Sequence, residues 1–157
     1  MCGAERWALV SALQKFGTLS GWGKEHHTQG LQGFDLIPTW DLHGATYNSP
    51  LIKFSNKEGQ DHDKQPLDTF DAEEQQIMNQ FNPQGKWPFM YINGEYTQIG
   101  PGYSPKLIDD KSFDDLYNEL MSGQKTDATD AINAEAANIT KLICSATGGQ
   151  PEAACKQ

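Results

Sequence analysis

An Asn-Gly pair between two short apolar runs is the feature that most narrows what this chain can fold into. Phe89-Met90-Tyr91-Ile92 precedes Asn93-Gly94, and Glu95 to Ile99 follows it. Both turn residues tolerate positive φ, so the spacing predicts a tight antiparallel hairpin. Trp87-Pro88 stands directly before the first of the two strands. A trans proline is tolerated at the start of a strand. A cis proline there turns the backbone, so that the residue before it offers its peptide groups to an extended substrate chain. The position between a helix and a hairpin favours the cis form at Pro88.

Around the hairpin, hydrophobic periodicity sets out the helices. Gly3 to Phe16 reads as the first, with Leu9, Leu13 and Phe16 at helical spacing, Trp7 as a core anchor and Gly17 as its stop. Residues 17–33 are rich in glycine, contain His26 and His27, and read as a mobile loop. Phe34 to Phe54 reads as extended: Ile37 to Leu42 alternates, and Thr46-Tyr47 and Leu51–Phe54 continue. Residues 55–66 are polar and aperiodic, as in a surface loop. Asp71 with Glu74 forms a capping pair for a second helix that buries Ile77, Met78 and Phe81. Ser112 with Asp115 caps a third, carrying Phe113, Leu116, Tyr117 and Leu120. The fourth runs from about Asp127 to Ala146, with Ile132, Ala136, Ile139 and Ile143 on one face and Gly148-Gly149 as its stop.

With one more strand at its beginning, this order becomes β-α-β-α-β-β-α. The expected architecture is therefore α/β: a thioredoxin-like mixed sheet with flanking helices, its first strand missing, and a C-terminal helical extension. Residues 1–125 would form the thioredoxin-like domain, and residues 126–157 a helix and disulfide-closed tail packed on it.

The chain carries a net charge of −9, which repels phosphate backbones, so no nucleic-acid partner is expected. No apolar run approaches the roughly 18 residues needed to span a bilayer. Three cysteines are present. Cys144 lies near the end of the fourth helix and Cys155 beyond its Gly-Gly stop, so the chain can fold back and join them. Such a structural disulfide contributes roughly 2–3 kcal/mol and points to an oxidising compartment.

Cys2 directly precedes a helix, where unpaired N–H groups and the macrodipole favour a thiolate and lower its pKa. In Cys-X-X-Cys oxidoreductases the second cysteine occupies this place and resolves the mixed disulfide made by the first. The partner of Cys2 would lie three positions earlier, before Met1. The alternative is a small apolar cap. Glu5 and Arg6 either tune this thiol or form a solvated helix face. His26, His27, His43 and His62 have no Cys or carboxylate frame, so no metal site is expected, and the chemistry requires no cofactor. Asp109-Asp110 and Asp114-Asp115 read as caps and solvated charge.

Cys2-Gly3-Ala4-Glu5-Arg6-Trp7-Ala8-Leu9, with Leu13 and Phe16-Gly17, resembles the "C-P-x-C-A-A-E-R-W-A-L … F-G" opening of an uncharacterised prokaryotic family, domain of unknown function 929. Gly44 to Ser49 with Phe54, Trp87-Pro88-Phe89, Asn93 to Tyr96, Gly102 to Pro105, and the stretch from Ala137 to Cys155 resemble its later segments in order. The resemblance implies a thioredoxin-like fold held outside the cytoplasm by an amino-terminal membrane anchor. The chain departs from the pattern at its start, where Met1 stands in the X position and the first cysteine, strand and anchor are absent. The expected function is thiol–disulfide exchange with protein thiols or disulfides. Cys2 and Pro88 would be catalytic and Trp87 would bind substrate, and the chain as given would be inactive for want of its first cysteine. The alternative is a redox-inactive binding module or envelope scaffold of the same fold.

Overall fold

A computed structural model describes residues 2–27, 36–61 and 65–156. His62, Phe34 and the loop expected at 28–33 lie outside the described residues. The elements run α1 (Cys2–Leu13), β1 (Thr18–Ser20), β2 (Gly23–His27), β3 (Ile37–Asp41), β4 (Thr46–Asn48), α2 (Ala72–Phe81), β5 (Phe89–Ile92), β6 (Tyr96–Ile99), α3 (Phe113–Ser122), α4 (Asp127–Ala146) and α5 (Glu152–Cys155).

Side-chain caps fix where the middle helices start. Asp71 accepts from the Glu74 amide at 2.8 Å while the Glu74 carboxylate accepts from the Asp71 amide at 3.0 Å, so two otherwise unpaired donors of α2 are satisfied reciprocally. Ser112 accepts from the Asp115 amide at 3.0 Å to open α3, and Gly123 closes it in the left-handed region at φ 69°. Thr126 and Thr129 form the reciprocal pair that opens α4. Asn93 and Gly94 both take positive φ, 52° and 75°, at the turn joining β5 to β6.

The strands do not form one mixed sheet. Among the described residues they make three separate two-stranded antiparallel sheets, β1 with β4, β2 with β3, and β5 with β6. The expectation of a single sheet is corrected to a mixed α/β chain of small antiparallel ribbons and helices. The glycine-rich stretch after Gly17 is also not simply loop. Leu19 is buried opposite Tyr47, and Gly23 to His27 pairs with β3 along its whole length. Cross-strand burial outweighs the weak intrinsic strand preference of those residues. Conversely, Leu51–Phe54 follows β4 without joining a strand.

Two helices supply what the ribbons lack. The carbonyls of Pro38 and Trp40 point away from β2, because Pro38 has no N–H and so occupies a non-hydrogen-bonded pair of the ladder. Trp7 Nε1 donates to the Pro38 carbonyl at 2.7 Å, and Arg6 donates to that of Trp40 at 2.8 Å. Thr39 Oγ1 donates back to the Gly3 carbonyl at 2.9 Å. Side chains of α1 thus serve the outer edge of β3 where a neighbouring strand otherwise would. Trp7 meets Trp40 edge-on at 5.3 Å, and Phe113 of α3 closes against both at 4.8 and 5.1 Å. The opposite flank of α1, with Ala8, Ala12 and Leu13, and Phe16 in the turn after it, packs on Ala136, Ile139 and Ile143 of α4.

Trp7 carries both the aromatic contact and the edge hydrogen bond. Trp7→Phe keeps an aromatic ring but leaves the buried Pro38 carbonyl without its donor. Its expected effect is a loss of about 1–3 kcal/mol, read as a lower urea midpoint at unchanged slope.

Candidate functional site

The first two turns of α1 bring together most of the polar groups buried in this fold. Cys2 opens the helix as a half-buried free thiol. Arg6, one turn on, is held by three acceptors: the Trp40 carbonyl, Glu58 at 2.9 Å and Glu25 at 3.3 Å. Glu58 is only 6% exposed, which corrects the reading of 55–66 as plain surface loop. Its carboxylate also accepts from the Leu42 amide at 3.2 Å, so it ties that segment to the end of β3. Asp41, Glu25 and Glu58 bring carboxylate oxygens within 4.8 Å of one another, with the Arg6 guanidinium as their counter-charge.

This setting reverses one expectation. Burial pushes the Cys2 thiol above its ordinary pKa; Arg6 pulls the other way, and Glu58 adds to the rise. Desolvation of the thiolate outweighs the favourable end of the helix, so Cys2 is a protonated thiol near neutrality rather than an activated thiolate. Burial likewise raises the Glu25 carboxyl, against the lowering effect of Arg6.

The solvated-face reading of Glu5 and Arg6 is also corrected, because both side chains are engaged inside the fold. Glu5 is 3% exposed and lies against Glu135 of α4, itself 6% exposed. Gln98 Nε2 on β6 donates to both carboxylates, at 3.1 and 3.0 Å, and the Gly102 amide donates to Glu5 at 2.8 Å. Burial is the main reason that the Glu5 carboxyl is pushed up to about 7; the Gly102 amide opposes the rise and Glu135 reinforces it. Glu135 escaped the sequence reading although its register, between Ile132 and Ile139 on the buried stripe, marks it.

Pro88 is half-buried at the head of β5, and the Trp87–Pro88 peptide bond is cis, as is Gln150–Pro151. Trp87 is 40% exposed, its ring stacked on Phe70 at 6.1 Å with the planes 8° apart. Phe70 was not singled out in the sequence, where it precedes a helix cap without periodicity. Hydrogen bonds link Pro88 to α1. The Gly100 amide donates to the Pro88 carbonyl at 2.8 Å, Gln98 Nε2 lies 3.4 Å from the Gly100 carbonyl, and the same Gln98 amide donates to Glu5. Glu5 is one turn beyond Cys2 on α1.

Cys144 and Cys155 are joined as a disulfide, with Cα atoms 5.6 Å apart, which closes α5 onto the end of α4. His43 does have a carboxylate beside it, Asp68 at 3.5 Å, and His26 is exposed on β2. Asp114 pairs with Lys24 at 2.5 Å and Asp115 accepts from the Ser112 hydroxyl at 2.7 Å, both at the surface. No helix among the described residues is long and apolar enough to cross a membrane. Comparison with protein-family models, with curated proteins and with solved structures returned no match.

Two outcomes follow from this geometry. The alkylation rate of Cys2 should rise only on the alkaline side of an ordinary cysteine. Arg6→Gln should move that midpoint further up while lowering stability by about 3 kcal/mol, because Glu58 loses its buried partner; rate-against-pH profiles of both forms check the shift. Replacing Cys144 and Cys155 together by Ser should remove about 2–3 kcal/mol, measured by chemical denaturation of each form under non-reducing conditions.

Proposed function

We propose that this chain carries a thioredoxin-like thiol–disulfide oxidoreductase domain, of the kind implied by its resemblance to domain of unknown function 929, acting on protein disulfides outside the cytoplasm. The observation that carries the reading is the hydrogen-bonded path from Pro88 through Gly100 and Gln98 to Glu5, one turn from the Cys2 thiol. It ties the start of the strand that would meet substrate to the helix that would bear a resolving cysteine. The Cys144–Cys155 disulfide supports an oxidising compartment.

In this reading a cysteine three positions before Cys2 attacks a protein disulfide as its thiolate. One substrate sulfur leaves as a thiol and a mixed disulfide forms. Cys2 loses its proton and attacks that mixed disulfide at the enzyme sulfur. The second substrate thiol is released, and the two enzyme sulfurs end as a disulfide, having given up two electrons. A dithiol reductant restores the pair. The raised pKa of Cys2 leaves the first step to the upstream cysteine, since a thiol that stays protonated does not compete for substrate as the first nucleophile. Trp87, stacked on Phe70, offers a flat apolar surface to an extended peptide beside Pro88.

A strand added to this ribbon would enter beside β3. There Arg6 and Trp7 now occupy the carbonyls of Trp40 and Pro38, so completion of the sheet requires those side chains to be exchanged for backbone donors. The exposed Trp87 ring stacked on Phe70 and the protonated Cys2 also fit a second reading, a redox-inactive module of the same fold that binds extended peptides.

A form extended at its amino terminus, with Cys three positions before Cys2, separates the two. Turnover of a protein disulfide is expected from this form. Cys2→Ser in it should stop turnover and accumulate the mixed disulfide, visible by mass. Equal turnover with and without Cys2 removes it from the mechanism. Peptide binding that persists without any turnover, and that is lost in Trp87→Ala, favours the binding module.

A further inference from the structure

The contact between Glu5 and Glu135 serves no step of the exchange chemistry. Two carboxyls from different helices lie against each other, almost wholly out of solvent. Among the described residues, every hydrogen-bond donor to them is neutral. Gln98 Nε2 reaches both, the Gly102 amide reaches Glu5, and Asn138 Nδ2 donates to Glu135 at 3.2 Å. Gly102 is pressed against the pair so closely that a Cβ there would overlap the Glu135 carboxyl.

The charged and titratable groups of the surrounding elements offer no compensation. On α1, the thiol of Cys2 is neutral, and the guanidinium of Arg6 is taken by Glu25 and Glu58. On the turn after β6, the Tyr103 hydroxyl donates to the Ala4 carbonyl, and burial together with both carboxyls pushes its ionisation upward. β6 contributes Gln98 and α4 contributes Asn138, both uncharged. Among the described residues, no Lys, Arg or His is ion-paired to either carboxyl. Two touching buried carboxylates cannot both stay ionised, so one proton must remain between them.

We infer that Glu5 and Glu135 share a single proton and act as a pH-operated latch, which clasps α1 to α4 and to the turn after β6 while the proton is held and releases them when it leaves. The latch does not depend on any redox activity. Its direction follows from linkage. Glu5 holds its proton in the folded chain up to about pH 7, whereas the unfolded carboxyl loses it near 4.5. The folded state therefore binds more protons between those limits, and stability is greatest on the acid side and declines as pH rises through that window. Above it, repulsion between the two carboxylates loosens the first turns of α1, where Cys2 sits.

The test is unfolding by urea at a series of pH values for the wild type, Glu5→Gln and Glu135→Gln, with infrared detection of a buried protonated carboxyl in the wild type. An amide at either position mimics the protonated acid and leaves one carboxylate, so each variant should hold the latch closed at alkaline pH. Relative to either variant, the unfolding equilibrium constant of the wild type should rise on the order of 100-fold between about pH 5 and about pH 8. The infrared band should disappear over the same range. A wild-type profile parallel to that of either variant that folds would overturn the latch, as would a wild type without a protonated buried carboxyl at about pH 6. The infrared arm needs no variant and decides the matter if both substitutions fail to fold.

Discussion

The fold depends on the hydrogen bonds by which α1 holds the outer edge of β3. Trp7 and Arg6 supply donors to the Pro38 and Trp40 carbonyls, and Thr39 returns a bond to the backbone of α1 at Gly3. A two-stranded ribbon is marginal in water by itself, and the described residues form three of them. What turns the β2–β3 ribbon into part of a core is the helix lying across it, with Trp7, Trp40 and Phe113 excluding water from those bonds. The other flank of the same helix packs on α4. α1 therefore couples the two core clusters, together with α4, which contributes Ala128 and Ile132 to one and Ala136, Ile139 and Ile143 to the other.

Neighbouring residues on α1 meet the cost of burial in opposite ways. Arg6 faces acidic groups with a fixed positive charge, so Glu58 has its counter-charge inside the fold. Glu5 points to α4, where no cation among the described residues pairs with it, and its environment is neutralised by a proton instead. The second arrangement therefore depends on a proton that can leave. Cys2 stands next to both and takes its raised pKa chiefly from burial, with Arg6 and Glu58 pulling it in opposite directions.

The parts of this structure that were legible in the sequence are those fixed by local chemistry. The Asp71–Glu74, Ser112–Asp115 and Asn93-Gly94 signals each specify hydrogen bonds or dihedral angles within four residues, and each element starts or turns where they place it. The buried stripe of α4 was legible from period alone, but Glu135, which lies in that stripe, reads as polar and passes for solvent-facing until Gln98 and Glu5 are seen to meet it. Glu58 was hidden for the same reason, since its partner Arg6 is far away along the chain. β2 was missed because glycine and histidine carry little strand preference, and β1 because three residues are too few to show alternation; only pairing with β3 and β4 makes them strands. The order of elements suggested one continuous sheet, and order does not determine which strands pair. Nor did a helix-end argument capture Cys2, because it omitted desolvation.

Pro38 has a consequence for how separate copies of this chain meet. A ribbon edge with a full row of amide hydrogens and carbonyls is an invitation to self-assembly through shared strands. On β3 that row lacks one hydrogen at Pro38, and two of its oxygens are already occupied by an indole and a guanidinium. A second molecule approaching this side finds few free groups with which to extend the ribbon. The same contacts that anchor α1 thus also keep crowded copies from zipping together along β3.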